Sequence, residues 1–124
     1  VNTDLIQLVA AAADLCRKPL RHGVVLSSPS DDLDCSLRLE ARCPEGERHA
    51  EQDLDLEIFR SGSTASARLH LTLAWTHDDT RPMLWHGPHP VWMDGEGCRT
   101  ERPADGVPLE ALARRLLALL DAER

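Results

Sequence analysis

Leu33-Asp34-Cys35-Ser36-Leu37-Arg38-Leu39-Glu40-Ala41-Arg42 alternates apolar and polar residues over ten positions. Successive side chains of a strand point to opposite faces, so Leu33, Cys35, Leu37, Leu39 and Ala41 share one face and the polar residues share the other. The same period runs outward in both directions. Upstream, Leu20 to Ser27 reads as a strand closed by the turn cluster Ser28-Pro29-Ser30-Asp31. Downstream, past a loop around Pro44-Glu45-Gly46, Leu54, Leu56 and Ile58 alternate with Asp53, Asp55 and Glu57. A turn at Ser61-Gly62-Ser63 leads to a fourth run, in which Ala65, Ala67, Leu69, Leu71, Leu73 and Trp75 alternate with Arg68, His70 and Thr72. Such alternation describes an antiparallel meander with one face on the core and one in water.

If the two later hairpins close symmetrically about their turns, Asp55 lies between Arg38 and His70, Arg42 faces Glu51, and Glu57 faces Arg68. Opposite-charge pairs of this kind contribute about 0.2–1 kcal/mol each and fix register without requiring a function.

Beyond the strands the period changes to that of a helix. Leu5, Leu8, Val9, Ala12, Leu15 and Cys16 recur at helical spacing over 3–17, with Asn2, Thr3 or Asp4 to cap the start and Pro19 to stop the element. At the other end Pro108 opens a helix that buries Leu109, Leu112, Leu116, Leu117 and Leu120 and leaves Glu110, Arg114 and Arg115 outside. The expected fold class is therefore α+β: one domain over 1–124, an antiparallel meander sheet of four to six strands, and N- and C-terminal helices packed on one face.

The chain has 124 residues, 42% hydrophobic and 28% charged, with a formal net charge of −7. That charge disfavours nucleic acid and anionic membrane surfaces and suits a basic protein or peptide. The longest apolar run, around Leu8 to Ala13, is too short for a transmembrane helix. Cys16, Cys35, Cys43 and Cys98 are irregularly spaced without a C-x-x-C pair, which argues for free thiols in a reducing cytoplasm and against a structural zinc site.

The richest segment chemically is 81–99, which holds two of the three Trp, both Met, two of the six His and one of the four Cys. By strand parity Trp85 shares a side with Met83, while Trp92 opposes Val91 and Met93. Trp85, His86, His89, Trp92 and Met93 are the candidate contact surface of a non-enzymatic protein-binding or assembly module, its occupant a protein partner or a second copy. The plainer alternative is that both indoles plug the end of a small core. A metal site on His86 and His89, completed by Cys98 or His77, is the competing reading. The intervening Gly87-Pro88 does not aim both rings at one point, so no cofactor is expected. Ser36, Asp55 and His70 supply the parts of a nucleophilic site, but on a solvated sheet face without oxyanion donors. Gly95-x-Gly97 precedes no helix and reads as a turn.

In size, charge and element order the chain is similar in outline to the chaperones that hold type III secretion effectors. The likeness covers no motif, and the helix that family places between strands has no counterpart here. It implies protein holding rather than catalysis.

Overall fold

The computed structural model describes residues 2–28, 35–61 and 68–122. Helix α1 (Asn2–Cys16) leads into seven strands: β1 (Arg21–Ser28), β2 (Cys35–Arg42), β3 (Leu54–Ser61), β4 (Arg68–Trp75), β5 (Met83–His86), β6 (Pro90–Met93) and β7 (Arg99–Thr100). Helix α2 (Val107–Ala122) closes the chain. The strands lie in chain order in one antiparallel sheet, so the α+β meander holds. It has one strand more than the upper expectation because 83–100 joins the sheet as three short strands. Leu33, Asp34, the turn residues Pro29 to Asp31, the turn at Gly62-Ser63, Ala65 and Ala67 lie outside the described residues.

The alternating leucines build the core. Leu37, Leu39, Leu54, Leu56, Ile58, Leu71, Leu73 and Leu84 are all fully buried, and Val9, Ala12 and Ala13 of α1 pack in the same cluster with Leu109, Leu112 and Leu116 of α2. Small side chains on α1 let that helix sit close to its neighbours. Leu15 falls off the buried line of Leu5, Val9, Ala12, Ala13 and Cys16 and is 46% exposed, contrary to its expected place on the apolar stripe. The opposite face of the sheet carries Ser36, Arg38, Asp55 and Glu57 and, among the described residues, no helix.

Register agrees at one hairpin and shifts at the next. Arg38 pairs with Asp55 as expected, at 3.2 Å. Arg42 does not face Glu51. Gly46, at φ 101°, closes a tight turn that pairs Arg42 with Arg48, and a single 3-10 turn at Ala50–Gln52 then takes the chain into β3. Between β3 and β4 Asp55 stands opposite Ala74 instead of His70, and Glu57 opposite Thr72 instead of Arg68. The strands run past the expected turn, which moves the pairing by four residues. Because that shift is even, every side chain keeps its face, and the core survives although the predicted charge pairs do not.

Candidate functional site

The Trp-rich segment is split by parity between the two faces. Leu84, His86 and Trp92 are buried on the core side, whereas Met83, Trp85, Val91 and Met93 are half-buried on the helix-free side. Trp92 is 5% exposed, and its Nε1–H donates to Glu110 Oε2 at 2.7 Å. Arg102 Nη1 donates to the other oxygen of Glu110 at 3.2 Å. Glu110, expected outside, is therefore buried. It stands in the first turn of α2, where a carboxylate also meets the positive end of the helix dipole. Close approach here requires Gly106, since a Cβ at that residue would lie 2.8 Å from Trp92 Cζ2.

His86 is also buried, and its Nδ1–H donates to the Gly87 carbonyl at 2.9 Å. His89 and Cys98 are exposed, and His77 Nε2–H donates to Asp53 Oδ2 at 3.3 Å. The four candidate ligands of the metal reading thus point to different surroundings. Among the described residues no three His, Cys, Asp or Glu gather as a metal site.

On the helix-free face Trp85 stacks on His70, with centroids 5.1 Å apart, and His70 stacks on Phe59 at 5.4 Å. Thr72, Trp85 and Val91 form the adjoining row, and Met83 pairs with Met93 in the next. The face is therefore divided into a polar part on β2 and the start of β3 and a ring- and Met-bearing part that runs from Phe59 of β3 across β4 to β6. Sequence reasoning missed Phe59 and set His70 opposite Asp55, whereas the structure sets it opposite Phe59. The signal was available, because Asp55, Glu57 and Phe59 continue one alternating row.

Gly87 is what lets the stack close. A Cβ there would lie 2.7 Å from Trp85 Cη2 and 2.8 Å from His70 Nδ1. Gly87→Ala is expected to push the indole off the imidazole and to destabilise the fold by about 1–3 kcal/mol. Proton NMR checks this, since the upfield ring-current shifts of the His70 ring should collapse toward ordinary values.

A second concentration of polar groups lies where α1 ends. Arg17 is 5% exposed; its Nη1–H donates to His22 Nε2 at 3.0 Å and its Nη2–H to Gln52 Oε1 at 2.9 Å. A guanidinium only donates, so His22 Nε2 accepts, and the ring proton on Nδ1 goes to Asp14 Oδ1 at 2.9 Å. Burial pushes the His22 pKa down against the pull of Asp14, which keeps the ring neutral at pH 7. Burial also lowers the Arg17 pKa to about 10 despite the attraction of Asp53 and Asp105. Arg17 and Gln52 line a cleft of about 400 Å³.

Neighbouring Asp53, 1% exposed, accepts from the Ala41 amide at 2.8 Å and from Arg48 Nη2 at 2.7 Å. At the cleft rim Cys43 Sγ lies 3.9 Å from His49 Nδ1, and His49 Nε2 lies 3.5 Å from Glu51 Oε1. A thiol, an imidazole and a carboxylate in line have the order of a nucleophilic site. However, the Cys43 amide, the usual oxyanion donor beside such a thiol, is committed to the Glu47 carbonyl at 2.8 Å, and Glu51 is 76% exposed. The line reads as a contact that orders the hairpin loop.

A family model described as Domain of unknown function (DUF8659) matches residues 6–119. No curated protein and no solved structure matches the chain.

Proposed function

The chain belongs to the family described as Domain of unknown function (DUF8659), and from that premise, which carries no activity, we propose that it is a non-enzymatic protein-binding module. The observation that carries this reading is the Phe59–His70–Trp85 stack beside Met83 and Met93 on the face that the helices leave uncovered. Rigid rings offer contact area at little entropic cost, and Met adapts to irregular partners. Of the five residues nominated from sequence, Trp85 and Met93 serve as contacts and exposed His89 lies at the margin, while buried Trp92 and His86 support them from below.

The occupant is a basic partner segment bearing apolar side chains. Asp78, Asp79, Asp94 and Glu96 are exposed on the two loops beside Met83 and Met93, and a Cβ on Gly95 would lie 3.6 Å from the Asp79 carbonyl, so the two loops adjoin. The net charge of −7 adds long-range attraction for such a segment and repels a second copy.

Photo-crosslinking in the cells the protein comes from tests this. A benzophenone side chain at position 91, in the row of Trp85, should give a discrete adduct with a partner whose crosslinked peptide is basic. The same probe at position 15, on the exposed side of α1, should not. A product of twice the chain's mass would replace the basic partner by a second copy. Equal patterns from both positions would overturn the assignment to this face.

A further inference from the structure

The cleft at the end of α1 holds a buried cation whose direct partners are neutral. Arg17 bonds the ring of His22 and the amide oxygen of Gln52, and no carboxylate among the described residues lies within ion-pairing distance of it. The nearby carboxylates are already committed. Asp14 holds His22 and Arg21, Asp53 holds Arg48 and His77, and Asp105 holds Arg81. Taking a charge out of water is costly unless a counter-charge arrives, so a buried guanidinium of this kind has an unmet demand for an anion.

A second observation points to the same place. Trp75 lines the cleft, is 5% exposed, and its buried Nε1–H donates to nothing among the described residues. The Arg17 guanidinium carbon lies 5.8 Å from the Trp75 ring centroid. Arg17 keeps N–H groups beyond those given to His22 and Gln52, and a guanidinium fork matches the two oxygens of a carboxylate. The Asp105 carboxylate, held by Arg81, also lines the cleft, and its charge disfavours a dianionic phosphate relative to a single carboxylate. Pro19, Leu20, Pro108 and Leu109 give one apolar stretch of wall, with Lys18, His49 and Asp105 elsewhere on the lining, and about 400 Å³ is within the range of small-molecule sites.

We infer that the cleft between the end of α1 and the start of α2 binds a small monocarboxylic acid with an apolar body, its carboxylate on Arg17 beside Trp75 and its body against Pro19, Leu20 and Leu109. The inference is independent of the sheet-face reading, because the cleft uses other residues.

The probes are 4-phenylbutyrate and its neutral analogue 4-phenylbutan-1-ol, titrated into the intact, ¹⁵N-labelled protein. The indole Nε1–H resonance of Trp75, assigned by its loss in Trp75→Phe, should shift with the acid. The acid should bind at least about tenfold more tightly than the alcohol, the difference expected for one charge-assisted contact worth about 1.4 kcal/mol. Arg17→Gln should remove that preference and leave the alcohol's weak binding unchanged. Because Arg17→Gln also alters the bonds to His22 and Gln52, the acid–alcohol comparison on the unmodified chain stands as the readout that needs no variant. Equal affinities for acid and alcohol, or no saturable shift with acid up to about 10 mM, would overturn the inference.

Discussion

Trp92→Ala is expected to cost about 3–5 kcal/mol, a large part of the stability of a domain this size. The indole is buried in the core cluster, and its Nε1–H is the bond that holds Glu110 at the start of α2. Removing it opens a ring-sized cavity and leaves the Glu110 carboxylate with Arg102 alone at bonding distance, while Arg114 stands at 4.0 Å. Trp92→Phe separates the two effects: it keeps most of the volume and should cost about 1–3 kcal/mol through the buried carboxylate oxygen. Urea unfolding followed by circular dichroism measures both. Trp85→Ala, by contrast, removes a half-buried ring and one stacking contact, so about 1–2 kcal/mol is expected.

Asp53→Ala should be nearly as damaging, at about 3 kcal/mol, because it strands the buried Ala41 amide and the Arg48 guanidinium together. Asp53 also sets an acid limit. Burial on its own would raise its pKa, but the bonds from Arg48 and the Ala41 amide, with His77, outweigh it and hold the carboxyl below its ordinary value of 3.8. A folded-state pKa below the unfolded one adds stability above the unfolded value and loses it as pH falls through the folded value. The urea midpoint should therefore hold steady near neutrality and drop as the pH falls below about 4. Asp53→Asn should lower the midpoint at pH 7 and flatten that acid dependence.

The fold was legible because period-two alternation survives an even change of register. Leu54, Leu56, Leu71 and Leu73 reach the core whichever of two pairings β3 and β4 adopt. Pairings themselves depend on where a turn closes: Pro44-Glu45-Gly46 marks a loop but not the short pairing of Arg42 with Arg48, and nothing marks the extension of β3 to Ser61. The two sides of the 83–93 strip were also readable from parity, but which side faces the helices was not. Met83 and Trp85 are as apolar as Leu84, and only the pairing of Leu73 with Leu84 ties Leu84 to the core. The cleft left little local trace, since Arg17, Gln52 and Trp75 are far apart in sequence and meet only through the fold.

One indole of the strip, Trp92, holds the fold, and in the proposed function the other, Trp85, meets a partner. The most direct test is the crosslinking yield from position 91 in Trp85→Ala, measured beside the urea midpoint of the same variant. The adduct should disappear while the protein stays folded, with a loss of only about 1–2 kcal/mol. An undiminished adduct from folded Trp85→Ala would contradict that role for Trp85.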